Sequence, residues 1–146
     1  VASDRAHGLG LSSRRGARER ALELLYEAEV KDLSVATIMA ALPLDTDAYA
    51  AALVLGVEQH RAELDVLLER ASHDWPVHRM PAVDRALLRI AVFELAHRPD
   101  VPAGVVLAEA VDLAGEYSTE ASAKFVNGVL ASLASELRGP DPAAAT

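Results

Sequence analysis

Apolar residues recur every three or four positions over most of the chain, which is the period of a helix with one buried face. Ala17, Ala21, Leu24, Leu25 and Ala28 make one such stripe and predict a helix over roughly residues 14–31. Ser34 suits the N-cap of a short helix that must stop by Pro43. Asp45 or Thr46 then opens a long helix to about Ser72, with Leu53, Val54, Val57, Leu64, Leu67, Leu68 and Ala71 inward. Trp75-Pro76 to Met80 reads as a connector. Pro81 suits the first turn of the next helix, whose inward positions are Val83, Leu87, Ile90, Ala91 and Leu95. Pro102 starts another, striped by Val106, Ala110, Leu113 and Tyr117. Ser118 or Thr119 caps the last helix, with Phe125, Val126, Val129, Leu130, Leu133 and Leu137 on its apolar face.

No alternating strand pattern and no tandem repeat interrupts this series. The expected fold is therefore all-α: two three-helix subdomains, about 14–75 and 81–138, packed into one helical domain. Residues 1–13 and 139–146, rich in Gly, Ser, Pro and Ala, read as flexible tails. Within the last helix Asn127-Gly128 costs helix stability, about 1 kcal/mol for Gly relative to Ala. A close helix–helix approach over Gly128 would account for it.

At 146 residues and 51% hydrophobic, the chain can bury a sizeable core. No apolar run reaches the ~20 residues of a membrane span, so no membrane partner is expected. The opening VASDRAHGLG has no apolar stretch behind its charges, so it does not read as a signal peptide. The absence of cysteine removes disulfides and thiolate chemistry and fits a cytoplasmic protein.

Charge changes the picture more. The net charge of −8 argues against a polyanion as ligand, but its distribution argues for one. Residues 1–20 hold five arginines against Asp4 and Glu19, while residues 21–146 hold nine Lys or Arg against twenty Asp or Glu. Screening confines surface fields to a Debye length of about 8 Å, so the local sign decides.

Arg14, Arg15 and Arg18, followed by Arg20, are the dense cationic cluster. Guanidinium groups fork two N–H donors onto phosphate oxygens, and a helix N-terminus does not itself favour cations. Both facts point to a nucleic-acid backbone; the other reading is a solvated face with an Arg15–Glu19 pair. Tyr26, further along the same helix, could stack an unpaired base, as could Phe125 beside Lys124. Ordinary packing is the alternative for both rings. Glu109, Asp112 and Glu116 share one helical face, and with Asp84 and Glu94 they form either a solvated acidic surface or a docking site for a basic protein. His73 and His78, five apart, have no carboxylate at metal spacing. With no phosphate-binding glycine loop and no nucleophile elbow either, an enzyme, a metal and a cofactor are not expected.

Five segments taken in order, RRGARERALELLY, the Leu53-Val54-x-Gly56-Val57 step with Asp65 and Trp75 after it, VDRALLRIAVFEL, the EAVDLA run after Pro102, and KFVNGVL, resemble the NusB family of bacterial transcription antitermination factors. The resemblance runs from Arg14 to about Leu137. It implies an all-helical protein of two three-helix subdomains. It also implies binding of boxA RNA together with the ribosomal protein NusE, in a complex that makes RNA polymerase resist termination, notably on ribosomal RNA operons. Carried over by position, Arg14, Arg15 and Arg18 would hold RNA backbone, with Tyr26, Lys124 and Phe125 as further RNA contacts. Asp84 would serve partner or RNA binding. NusE, expected to be basic, would dock on the acidic face. Gly16, Ala108 and Ala121 depart from the usual pattern and bear on fine RNA contacts, not on the fold. A homodimer that covers the RNA or NusE surface would be an inactive storage form. The competing readings are the helical module appended to ribosomal RNA methyltransferases, for which the chain has no room for a cofactor domain, and a protein-only helical adaptor.

Overall fold

The computed structural model describes residues 11–73 and 75–140. The N-terminal tail expected over 1–13 lies mostly outside these residues, as do 141–146 of the C-terminal one. The described residues are helical throughout, with no strand. The helices are α1 (Leu11–Val30), α2 (Val35–Ala40), α3 (Ala48–Gln59), α4 (Arg61–Ala71), α5 (Ala82–His97), α6 (Ala103–Tyr117) and α7 (Glu120–Arg138), with a 3-10 turn at Val77–Arg79. None of these helices is long and apolar enough to cross a membrane.

Side-chain caps fix several starts. The Ser34 hydroxyl accepts from the Thr37 N–H at 3.1 Å. The Asp47 carboxylate accepts from Tyr49 and Ala50 at 2.8 and 3.0 Å, so Asp47, not Asp45 or Thr46, caps this helix. Thr119, not Ser118, accepts from the Ser122 N–H at 2.9 Å. Each bond satisfies a donor that the first helical turn leaves open.

The long helix expected to run to Ser72 is instead two helices that meet at His60, so the first half holds four helices rather than three. His60 leaves helical geometry (φ −110°, ψ 14°), yet its N–H still bonds to the Gly56 carbonyl and its carbonyl still receives the Leu64 N–H. The bend leaves Leu53, Val54 and Val57 before it and Leu64 and Leu68 after it equally buried. Apolar periodicity therefore passes through it without a mark.

α5 is the centre of the molecule. From Asp84 to Leu95 every residue but Arg89 is buried, so this helix is enclosed on all sides. α1, α3 and α4 pack on it from one half of the chain and α6 and α7 from the other. One continuous apolar core results, reaching from Ala21 to Leu133. Arg89 ties α5 to α4 through two bonds to Asp65 at 2.8 and 2.9 Å. Arg138 donates to the carbonyls of Glu94, Leu95 and Arg98 at 3.0, 3.1 and 2.9 Å, closing the C-terminal end of α5.

The close helix–helix approach occurs at Gly56, not at Gly128. A Cβ at Gly56 would lie 2.2 Å from the Phe93 ring, whereas one at Gly128 would meet nothing within 4 Å. Gly128 is exposed, and nothing in the fold requires glycine there. Gly56→Ala is expected to destabilise the protein. Overpacking against a buried ring costs about 1–3 kcal/mol, which outweighs the ~1 kcal/mol gained in helix propensity. A urea melt showing Gly56→Ala more stable than wild type would refute the close packing.

Candidate nucleic-acid interface

The arginine cluster of α1 faces two ways. Arg18 is 2% exposed and points into the molecule, where it meets Glu94 of α5, itself 1% exposed. Its Nε and Nη2 donate to the two Glu94 oxygens at 2.8 and 2.7 Å, a bidentate charge-assisted pair. The Tyr49 hydroxyl of α3 adds a third bond to Glu94 at 2.6 Å. Burial opposes the charge of Arg18, but the bonds and charge of Glu94 more than offset it and hold the guanidinium above its ordinary range. Burial, then the bond to Glu94, pushes the Tyr49 hydroxyl up as well. Arg18 Nη1 is buried with no partner among the described residues.

Arg18 and Glu94 were expected on an RNA face and a partner face. Both are interior instead, because positions 14, 18, 21, 25 and 28 lie on one side of α1 and that side is the one packed against α5. Arg18 thus continues the apolar stripe. Asp84, also expected on the partner face, is 2% exposed at the start of α5.

Arg15 turns outward toward α6 and gathers the acidic face. It donates to Glu109 at 2.8 Å, Asp112 at 2.7 Å and Glu116 at 2.9 Å, and more weakly to Glu19 at 3.3 Å. Burial disfavours its charge, and the bonds to Glu109 and Asp112 more than compensate, raising it above its ordinary range. The Arg side chain remains 22% exposed, with Asp112 and Glu116 at 71% and 55%. The expected cationic site and the expected acidic site therefore hold each other. Arg14 lies over the Tyr49 ring, 4.4 Å from its centre, and reaches Asp100 at 3.3 Å. Arg98 approaches the same ring at 5.0 Å and shares Asp100.

Beyond Arg15 the surface becomes aromatic. The Tyr117 hydroxyl donates to Glu19 at 2.7 Å, and that bond, with minor burial, pushes it up to about 12. Tyr117 and Tyr26 line one open groove with Leu22, Val83 and Val30. Both rings are exposed, at 41% and 39%. Tyr117 was expected in the core; it ends α6, where the last turn carries it past the packed face. Elsewhere Phe125 is half-buried with its ring against Trp75, centres 4.9 Å apart at 63°, and Lys124 beside it is exposed. Trp75 gave no sign of this role beyond being the one tryptophan in a connector.

The NusB family model matches residues 15–135. The chain belongs to the NusB family. It is 46% identical to the transcription antitermination protein NusB of Kineococcus radiotolerans over 128 residues, covering 85% of this chain and 94% of that one. It is 41% identical to that of Myxococcus xanthus over 140 residues, covering 89% of this chain and all of the relative. The T. maritima NusB structure superposes with a TM-score of 0.76 at 32% identity, over 84% of this chain and 91% of that one. A NusB structure solved with NusE and double-stranded RNA does so at 0.73 and 29%, over 84% and 96%. These relatives are transcription factors, not enzymes.

Removing Glu94 tests the interior half of this NusB-family site. Glu94→Ala leaves the Arg18 charge buried and unpaired, and is expected to cost about 3–5 kcal/mol in urea unfolding. The double change Arg18→Leu, Glu94→Leu should cost less than Glu94→Ala alone. A loss below about 1 kcal/mol for Glu94→Ala would contradict the buried pair.

Proposed function

We propose that this chain is an RNA-binding transcription antitermination factor that acts in the cytoplasm with NusE on boxA RNA and helps RNA polymerase resist termination, notably in ribosomal RNA operons. The observation that carries this reading is the strip on α1 and α6 that passes from Arg15, ringed by Glu19, Glu109, Asp112 and Glu116, to Tyr117 and Tyr26, with Arg14 on the neighbouring side of α1 over Tyr49. Cations to hold phosphate and adjacent exposed rings to stack bases are what a flexible RNA needs. Lys124, Phe125 and Trp75 offer a second charge-and-ring set for a longer RNA. Arg18 serves the site from beneath, by fixing where α1 lies on α5. The known complex of NusB with NusE and double-stranded RNA supports both partners.

The acidic partner surface reduces to Glu109, Asp112 and Glu116, since Asp84 and Glu94 are enclosed. These three carboxylates are held by Arg15 in the free protein, so a basic NusE and the RNA backbone each displace the opposite half of one ion-pair cluster. Engagement of the carboxylates by NusE frees Arg15 for phosphate. A homodimer covering this strip would block both at once, and sedimentation with and without RNA reports it.

Arg14→Ala and Arg15→Ala are each expected to weaken boxA binding and to flatten its log–log salt dependence by about 0.7 per lost contact. Tyr26→Leu and Tyr117→Leu are expected to lose ~1–3 kcal/mol of RNA binding each, with little change in Tm. RNA titrations at several salt concentrations check the first pair, and unchanged slopes would remove these arginines from the RNA. Arg15→Gln should also quicken NusE association at low salt, because three carboxylates lose their internal partner. Slower or unchanged association would exclude this displacement of the internal pairs.

A further inference from the structure

Outside the RNA strip, two histidines and a carboxylate converge where the α3–α4 bend meets the end of α5. His60 occupies the bend, Glu63 lies in the first turn of α4, and His97 is the last residue of α5. The His60 and His97 rings stack with centres 3.9 Å apart. His60 Nδ1 lies 3.2 Å from Glu63 Oε2, and His97 Nε2 lies 3.1 and 3.3 Å from Oε1 and Oε2. Three candidate ligand atoms thus fall within 4.8 Å of one another. We propose that His60, Glu63 and His97 form a binding site for a divalent transition-metal ion of the zinc type, which pins the α3–α4 bend to α5.

The packing beneath makes the cluster more than a chance encounter. Gly56 and His60 are one turn apart on α3, as are Phe93 and His97 on α5. Gly56 lets the Phe93 ring lie directly on the α3 backbone. Phe93 in turn flanks both imidazoles, 6.0 Å from His60 and 5.5 Å from His97. The two rings are therefore held face to face by contacts below them. Because a shared ion lies in the plane of each ring, ligation requires one imidazole to swing out of the stack about its half-exposed side chain.

The spacing also suits the chemistry. Tetrahedral zinc with bonds of ~2.0–2.1 Å places neighbouring ligand atoms about 3.3 Å apart, close to the nitrogen–oxygen separations of the hydrogen bonds that Glu63 makes here, and all three atoms lie within 4.8 Å of one another. Two imidazoles and one carboxylate are a ligand set that zinc, nickel and cobalt accept and magnesium does not favour. The C-terminal end of α5 adds a partial negative charge beside His97. The side chains are 35%, 47% and 31% exposed, leaving an open position for water. Such an ion has a structural role, joining the two halves of the chain.

The test uses the full untagged chain, freed of metal with chelator. Zinc chloride titrated by calorimetry is expected to give one saturable equivalent and to raise Tm. Nickel added stepwise should broaden the ring resonances of His60 and His97 before those of the other histidines. His97→Gln and Glu63→Gln should each weaken zinc binding by at least the roughly 10–100-fold that loss of an outer-shell partner costs, while His78→Gln leaves it unchanged. Absence of saturable binding, or broadening that begins at His73 or His78, overturns the proposal. If a variant fails to fold, the order of broadening in the wild-type protein decides by itself.

Discussion

The buried contact between Arg18, Glu94 and Tyr49 is the constraint on which the rest of this structure depends. It joins α1, α3 and α5 at one point inside the core. An isolated buried charge is strongly unfavourable, so Arg18 and Glu94 can both be enclosed only when their geometry is met. That requirement sets the rotation of α1 about its axis. Once Arg18 points inward, Arg15 must face α6 and Arg14 must lie toward Tyr49. The orientation of the whole arginine motif follows from its one buried member.

The same constraint decides which arginines of a protein of net charge −8 stay at the surface. The acidic body is not spread evenly against its basic end. Three of its carboxylates are drawn together by Arg15, and Asp100 lies between Arg14 and Arg98. These exposed pairs contribute little to stability one by one. Their effect is to fix charge in two places, Arg15 among four carboxylates with the Tyr117 and Tyr26 rings beyond it, and Arg14 with Arg98 around Tyr49 and Asp100. Membership of the NusB family gives the strip from Arg15 to Tyr26 its reading as an RNA surface.

Much of the fold was legible because helical periodicity and capping are local. Ser34, Thr119, Pro81 and Pro102 mark helix ends through bonds or steric limits within a few residues. The bend at His60 was not legible, since Leu53 to Leu68 stay inward on both sides of it. For the candidate site residues, which side chains stay exposed was partly legible and which pair with one another was not. Arg14, Arg15 and Tyr26 reach the surface, as their residue types suggest, but Arg18 and Glu94 are partners 76 residues apart, and no spacing rule links them. Asp84 and Glu94 were grouped with Glu109, Asp112 and Glu116 because acids were counted as surface, whereas the enclosure of α5 on every side buries both. The histidine cluster was invisible for the same reason: His60 and His97 meet only when α3 packs over Phe93.

The proposed division of the arginine motif into one folding residue and two RNA residues is tested most directly by Arg18→Met, read in two ways on one sample. Urea unfolding gives its stability, and boxA titrations over a range of salt give the number of phosphate contacts made by the folded protein. The account predicts a clear loss of stability with an unchanged salt slope. A slope smaller by about 0.7, the loss of one phosphate contact on single-stranded RNA, with stability intact, would place Arg18 on the RNA and contradict it.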